Sequence, residues 1–290
     1  MVTRRQFVSF SGLCLPGLLH AAPERFAGLP SRVAALEQAS GGRFGVAVWD
    51  PSTGERSGYR ADERFPMCST FKFLLASAVL RRIDRGDEAA ERTVGIPRSP
   101  LLSNSPLTET HAGRSMTIDA LCRAIVTHSD NTAANLLLGT IGGPAGVTSF
   151  ARSIGDTVTR LDRTELSLNE ALAGDPRDTT SPAAMVGDLR AVLLGDALSR
   201  GSRSRLIRWM ESSVTGLSSL RAGMPAGWRV ADKTGSNGTH TRNDIAVVWV
   251  PRHRSIAMAA YITQCPGPDM KRERLLSAIG KLIADSLRIA

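Results

Sequence analysis

The chain has 290 residues, 42% of them hydrophobic and 22% charged, which is enough to bury a core without the help of metals or disulfides. Its net charge is +9, but the arginines are scattered between apolar positions, which argues against a nucleic-acid-binding protein. Only four of the 36 cationic side chains are lysines. Because an ammonium shifts its pKa far more readily than a guanidinium, positions that use lysine are informative.

The N-terminus predicts an export signal over residues 1–22. Arg4 and Arg5 precede an apolar stretch that runs to Leu19, and small residues follow at Ala21 and Ala22. This pattern is typical of a twin-arginine signal, with a Sec-type signal as the alternative. The apolar stretch is shorter than the about 20 residues of a membrane span. We therefore expect a periplasmic or secreted protein that has no membrane contact after the signal is removed.

Two strands and a long helix follow. The apolar alternation over 43–50, a turn at 51–54 and a second strand near 56–60 predict a hairpin. From 69 to 84 the apolar residues recur at helical spacing, which predicts a buried helix with Ser69 near its start.

The middle of the chain predicts more helices. A capping pattern opens one at Ser115, and further helices are expected over 132–139, 147–154, 182–194 and 203–212. The segment 156–181 is polar and weakly periodic, which indicates a long loop, and loops of that length in compact domains are usually functional.

The C-terminal part returns to strands, at 228–232, 243–250 and 255–263, and ends in an amphipathic helix over 272–287. The two N-terminal strands need partners, and these are the nearest candidates. The prediction is an α/β (α+β) fold, with a five-stranded antiparallel sheet built from both chain ends and flanked by helices. The sheet domain would comprise 31–60 and 214–290, with an all-α domain inserted at 61–213.

Ser69 and Lys72 form the first chemical motif. Residues three apart lie on one helix face, and a hydroxyl at a helix N-terminus beside a lysine is a candidate nucleophile. The alternative is a capping serine with an unrelated lysine. Ser129-Asp130-Asn131 stands at an apparent break between helices, and Lys233-Thr234-Gly235 ends the 228–232 strand. Alone, each tripeptide is as typical of a turn or a strand exit.

The order and spacing of these motifs are more specific. Ser129 follows Ser69 by 60 residues, and Lys233 follows Ser129 by 104. This arrangement resembles the serine penicillin-recognising enzymes. Within them, Glu165 and Asn169 match the Glu-x-x-x-Asn of the class A β-lactamases, and the resemblance extends from about Ser31 to the C-terminus.

The resemblance implies a catalytic site between the two domains. Ser69 would attack the β-lactam carbonyl, with the backbone N–H groups of Ser69 and Ser236 holding the oxyanion. Either Lys72 or Glu165, through a water, would take the serine proton, and Ser129 would pass a proton to the lactam nitrogen. Glu165, with Asn169 helping to hold the water, would then release the acyl-enzyme.

The remaining expected roles concern binding and loop structure. An Arg163–Asp178 salt bridge would close an omega loop at about 160–180. Lys233 and Thr234 would meet the substrate carboxylate, and Asn131 the acylamide carbonyl. The substrate-binding set implied by the resemblance is Asn131, Asn169, Lys233, Thr234, Gly235, Ser236 and Arg242, where Arg242 is otherwise an exposed strand arginine.

Some positions depart from the family pattern. Cys68 and Cys122 each match half of a family disulfide, but the partner positions are Asn237 and Ala76, so we expect neither disulfide to form. Asn104 stands where many relatives place an aromatic residue. Leu166 follows Glu165 where several relatives have proline, which leaves the geometry of that bond open.

The expected partner is a small-molecule β-lactam, hydrolysed by a serine enzyme that confers resistance; we expect a monomer. No motif for a cofactor or a metal is found, and neither is predicted. The alternatives are a penicillin-binding D,D-peptidase, which has no need of the loop carboxylate Glu165, and a β-lactam sensor, which would normally need a membrane-spanning segment. A related glutaminase should lack Lys-Thr-Gly.

Overall fold

The computed structural model describes residues 25–251 and 254–288, so the predicted export signal over 1–22 lies outside the described residues. In the described part the helices are α1 (Leu29–Ser40), α2 (Phe71–Arg85), α3 (Pro106–Glu109), α4 (Ile118–Thr127), α5 (Asn131–Thr140), α6 (Pro144–Ser153), α7 (Pro182–Leu189), α8 (Arg200–Glu211) and α9 (Asp269–Arg288). The strands are β1 (Arg43–Trp49), β2 (Arg56–Tyr59), β3 (Phe65–Pro66), β4 (Thr93–Gly95), β5 (Ser115–Thr117), β6 (Thr179–Thr180), β7 (Arg229–Ser236), β8 (Arg242–Val250) and β9 (Arg254–Thr263).

Both ends of the chain contribute to one five-stranded antiparallel sheet, which confirms the predicted fold class. The strand order is β2-β1-β9-β8-β7. The N-terminal hairpin joins the C-terminal strands through β1 and β9, where Ala47 pairs with Ala259. At the other edge β7 pairs with β8, and Lys233 lies opposite Ile245. The edge strand β7 therefore carries the Lys-Thr-Gly motif.

Helices cover both faces of the sheet. Along β8, Ile245 and Val247 point into the core shared with α2, α4 and α5, whereas Ala246 and Val248 point into the core formed with α1 and α9. This alternation is the period-two pattern of a strand that is buried on both sides.

The first of these cores crosses the predicted domain boundary. It includes Ala47, Ala231 and Ile245 of the sheet as well as Leu74 and Leu121 of the helical region. The two regions therefore share buried apolar surface, and the division of the chain at 60/61 and 213/214 remains a prediction.

The turn that carries Ser69 leads directly into α2. Cys68–Thr70 is a short 3-10 segment, and the α-helix begins at Phe71 and ends at Arg85. The cap residue that follows is Gly86, whose φ of 79° suits glycine. Every residue from Phe71 to Leu80 is buried, including Lys72. The helix thus places a lysine inside the protein, one turn from the serine.

Several elements differ from the predictions. The strand predicted at 228–232 continues to Ser236, so Lys-Thr-Gly lies within β7 and not after it. The helix expected to open at Ser115 begins at Ile118, because 115–117 forms β5 and Thr117 is the cap that accepts from Ala120 N. The helix expected over 182–194 becomes π-helical from Arg190. α1 was not predicted.

No helix in the described ranges is long and apolar enough to cross a membrane. Cys68, Cys122 and Cys265 are buried free thiols. Burial raises the pKa of both Cys68 and Cys122 well above its usual value, so these thiols stay protonated near neutral pH.

Candidate active site

Lys72 lies at the centre of a buried polar cluster. Its ammonium donates to Ser69 Oγ at 3.1 Å, to the Ser129 carbonyl at 2.8 Å and to Asn131 Oδ1 at 2.6 Å. The same Nζ is 2.8 Å from Glu165 Oε1. Burial lowers the pKa of Lys72, although the charge of Glu165 opposes this shift. A lysine in this state can exchange a proton with the neighbouring hydroxyl.

The Ser129-Asp130-Asn131 motif forms the turn between α4 and α5. Asp130 is fully buried and caps α5 by accepting from Ala133 N at 2.9 Å, and it also accepts from Thr108 N at 2.9 Å. These bonds hold the turn in place, with Ser129 in the left-handed region at φ 59°. Ser129 Oγ lies 3.4 Å from Lys72 Nζ.

Lys233 approaches the cluster from the sheet. Its ammonium donates to Ser129 Oγ at 3.1 Å and to the Thr234 carbonyl at 2.7 Å. Thr234 Oγ1 in turn donates to Thr215 Oγ1 at 2.6 Å. Burial, and secondly the charge of Lys72, lower the pKa of Lys233 to about 7. Ser129 therefore stands between two lysines whose protonation responds to what binds beside them.

Gly235 allows β7 to approach the serine turn. A Cβ at this position would lie 2.6 Å from the Met67 carbonyl oxygen, 3.0 Å from Thr70 N and 3.1 Å from Ser69 N. All three contacts are backbone atoms, which cannot turn away as a side chain can. The motif thus requires glycine because two backbone segments meet here. This close approach sets β7 against the backbone of Ser69 at Gly235, and Ser236 is the next residue of the strand.

The loop over residues 160–180, the omega loop, carries Glu165 into the site. Its base is closed by a hydrogen bond from Arg160 N to the Thr179 carbonyl at 3.0 Å. Arg163 Nε lies 2.6 Å from the buried Asp178 carboxylate, which also accepts from Arg163 N at 2.9 Å. Such a charge-assisted pair is rigid in a buried setting. It holds the two sides of the loop together.

The Glu165 carboxylate faces Ser69 and is held from two sides. Asn169 Nδ2 donates to Glu165 Oε2 at 2.6 Å, and Glu165 Oε1 lies 3.5 Å from Ser69 Oγ. The Glu165–Leu166 peptide bond, whose geometry the sequence left open, is cis. The side chain of Glu165 is fully buried, and Lys72 is its cationic partner.

Asn135 is a site residue that the sequence analysis missed. On α5, it receives a hydrogen bond from Glu165 N at 2.9 Å and donates one to the Glu165 carbonyl at 2.8 Å. Both groups of one peptide segment are thus satisfied by one amide side chain. The only available signal is its position one helical turn after Asn131, which places both side chains on one face of α5.

Arg242 and Ser236 face each other across the β7–β8 pair at the end of the site. Arg242 is engaged by carboxylates, with NH1 2.7 Å from Asp269 Oδ2 and NH2 2.7 Å from Glu273 Oε1. This partly neutralises the arginine, so its expected contact with a substrate carboxylate remains a prediction. Asn104, at the opposite side, donates to the Ser129 carbonyl at 3.0 Å.

The structure therefore brings most of the predicted residues into one cluster. Among the described residues, no group of three or more His, Cys, Asp or Glu side chains could hold a metal ion. The chemistry available is that of a serine hydroxyl with two buried lysines, a carboxylate and a close pair of backbone segments. The predicted residues that make up this arrangement are Ser69, Lys72, Ser129, Asn131, Glu165, Asn169, Lys233, Thr234, Gly235 and Ser236.

Comparisons with known proteins agree on one family. The profile of the β-lactamase enzyme family matches residues 28–287. Among curated proteins, β-lactamase L2 of Stenotrophomonas maltophilia is 47% identical, with 99% of each chain covered, and β-lactamase CTX-M-8 of Citrobacter amalonaticus is 43% identical, with 94% of each covered.

Solved structures give the same result. The last common ancestor of Gram-negative bacteria class A β-lactamase (GNCA4) is 53% identical with a TM-score of 0.88, covering 90% of this chain and 100% of that one. A β-lactamase from Xanthomonas campestris is 46% identical with a TM-score of 0.89, covering 92% and 100%.

Proposed function

Because the chain belongs to the class A β-lactamases, we propose that it opens the β-lactam ring through an acyl-enzyme on Ser69 that Glu165 then releases. The chain is a serine β-lactamase, hydrolyses β-lactams and confers resistance to them. What is proposed is the role of each residue. The observation that carries this assignment is the placement of Glu165 Oε1 within 3.5 Å of Ser69 Oγ and 2.8 Å of Lys72 Nζ.

Acylation requires the Ser69 proton to leave as Oγ attacks the lactam carbonyl. Two bases lie within reach, Lys72 at 3.1 Å and Glu165 at 3.5 Å or through a water. The oxyanion that forms would be held by the backbone N–H groups of Ser69 and Ser236, brought together by the contact at Gly235.

The leaving lactam nitrogen then needs a proton. Ser129 Oγ is the group that supplies it, since its hydroxyl lies between Lys233 at 3.1 Å and Lys72 at 3.4 Å and can be reprotonated from either. The substrate carboxylate, bound beside Lys233 and Thr234, would favour the charged form of Lys233. Substrate binding thereby supplies the protonated lysine that this step uses.

Deacylation needs a base that can activate water on the ester. Glu165 is held by Asn169 through Oε2 and by Asn135 through its backbone, which fixes its direction. A water between the two side chains and the ester would lose its proton to Glu165. A D,D-peptidase has no such loop carboxylate, so this residue separates the two activities.

The test of this function is steady-state hydrolysis of a chromogenic cephalosporin by the mature wild type and by Ser69→Ala. We expect turnover by the wild type and none above background by the variant. A D-alanyl-D-alanine peptide serves as the control substrate. Hydrolysis of this peptide in preference to the cephalosporin, or undiminished activity in Ser69→Ala, would show that the assignment is wrong.

We also propose periplasmic or secreted localisation through the twin-arginine route. This rests on Arg4 and Arg5 ahead of the apolar stretch to Leu19. A double Arg4→Lys, Arg5→Lys variant should stay inside a bacterial host while the wild type is exported, as judged by cell fractionation. Export of the variant at the wild-type level would favour a Sec-type signal.

A further inference from the structure

Two buried carboxyl groups lie together at the base of the omega loop, outside the catalytic set. Asp156 precedes the loop, and Asp188 lies on α7 after it. Asp188 is 1% exposed and Asp156 is 8% exposed. Asp156 acts on the Asp188 carboxyl through its charge and as a hydrogen-bonding partner, and Oδ2 of each is buried without a donor among the described residues. A hydrogen shared by the two carboxyl groups would satisfy both of these buried oxygens.

Both carboxyl groups line a cavity of about 590 Å³. Arg152 on α6 donates to the Asp156 carbonyl at 2.6 Å, and its charge acts on Asp188. Burial raises the pKa of the Tyr261 phenol on β9, and the charges of both carboxyl groups add to this shift. The other charged groups around the cavity are Arg56, Asp62, Arg190 and Asp196.

Asp156 is tied to the first residues of the loop. Its Oδ1 accepts from Val158 N at 2.6 Å and from Thr159 N at 3.0 Å. Thr159 Oγ1 lies 2.7 Å from Thr180 Oγ1, and this contact joins the start of the loop to its end. An interaction between Asp156 and α7 would therefore also keep the two ends of the loop together.

We propose that Asp156 and Asp188 share one proton, with the Asp188 carboxylic acid donating to Asp156 Oδ2, and that this bond positions the omega loop that carries Glu165. Ionisation of one carboxyl disfavours ionisation of the other, and burial and the charge of Asp156 outweigh the opposing charge of Arg152. Asp188 is thus a positioning residue that acts through Asp156. Its effect on turnover rests on the proposed function, whereas its effect on the loop itself does not.

The proposal predicts a sign for the pH dependence. Burial, and secondly the charge of Asp156, raise the pKa of Asp188 well above its usual value. A carboxyl with a higher pKa in the folded than in the unfolded chain stabilises the fold below its unfolded pKa, and that stability is lost as pH rises through the folded pKa. The loop base should therefore loosen as the pH rises.

The test compares Asp188→Asn, whose amide donates to Asp156 at every pH, with the wild type. Urea unfolding of the mature chain is measured from pH 5 to pH 9. The ratio of the folding equilibrium constants, variant over wild type, should rise with pH by up to about tenfold per pH unit. Asp62→Asn removes an exposed carboxyl of the same cavity and should give a flat ratio. If Asp188→Asn does not fold, Asp156→Asn replaces it, since its amide donates in the opposite direction.

A second readout reports on the loop directly. Arg160 and Arg177 are exposed trypsin sites within the omega loop. Cleavage after them, normalised to a free peptide, should accelerate with pH in the wild type and stay constant in Asp188→Asn. As pH rises, the kcat of wild type should also fall more steeply than that of Asp188→Asn.

Three results would overturn the proposal. A flat stability ratio for Asp188→Asn would show that no proton is shared. Identical cleavage profiles for both proteins would show that the pair does not position the loop. If 1 mM calcium chloride removed the pH dependence of the wild type and left Asp188→Asn unchanged, the pair would be a cation site instead. None of these readouts requires a β-lactam, so they remain decisive even if the proposed function fails.

Discussion

Gly235→Ala tests the geometry of the site at its tightest point. The added Cβ would lie 2.6 Å from the Met67 carbonyl oxygen, whereas ordinary van der Waals contact begins near 3.4 Å, so β7 must retreat by about 0.8 Å. The atoms that the new Cβ would meet belong to the buried backbone of the serine turn, so this turn cannot move away on its own. This retreat separates the N–H groups of Ser69 and Ser236, the proposed oxyanion donors.

Loss of one such donor costs about 2.7–4 kcal/mol, which corresponds to a 10²–10³-fold fall in kcat. Single-turnover acylation by a chromogenic cephalosporin in a stopped-flow instrument measures this step. The matched control is Gly95→Ala on β4, where a Cβ meets nothing within 4 Å, and it should acylate like the wild type. A folded Gly235→Ala that acylates within threefold of the wild-type rate would refute the close-packed oxyanion site.

Three further predictions concern Lys233, Asn135 and Arg163. The pKa of Lys233 is lowered to about 7, so its ammonium is lost as pH rises through that value, and kcat/KM for anionic β-lactams should fall there. Lys233→Arg should remove this fall. A pH profile that is unchanged in the variant would contradict the assignment. Asn135→Leu leaves the N–H and carbonyl of Glu165 without their partner, which costs about 1–3 kcal/mol of stability for each group. The variant should therefore deacylate more slowly in a stopped-flow experiment. Deacylation at the wild-type rate would show that Asn135 does not position Glu165. Arg163→Ala leaves the carboxylate of Asp178 buried without its cationic partner, which should lower the free energy of unfolding by about 3–5 kcal/mol and the melting temperature by several degrees. A melting temperature equal to that of wild type would show that the fold does not depend on the pair.

The motif residues were predictable because the residues of each motif lie only a few positions apart in the sequence. Ser69 and Lys72 meet because a helical turn separates them, and Asp130 caps α5 from the adjacent position. The sheet was predictable for a different reason, since the N-terminal hairpin needs partners and few later segments have strand character. These inferences require only local geometry and the demand that backbone groups pair.

Other features depend on tertiary contacts that no local pattern signals. Asn135 acts on Glu165 only because the omega loop folds over α5, and Asp188 meets Asp156 only because α7 returns beneath the loop base. The extent of β7 was underestimated because lysine and glycine have weak strand propensity, whereas pairing with β8 holds Lys233 and Gly235 in the ladder. α1 was missed since it buries only Leu29 and Val33 completely and shows little periodicity.

The central claim is that Glu165 releases the acyl-enzyme formed on Ser69. Glu165→Gln keeps the size of the side chain but cannot accept a proton from water. Intact-protein mass spectrometry after mixing with benzylpenicillin measures the acylated fraction directly. The account predicts that the variant accumulates a persistent adduct on Ser69 while the wild type returns to its free mass. A variant that turns over at the wild-type rate without any adduct would contradict it.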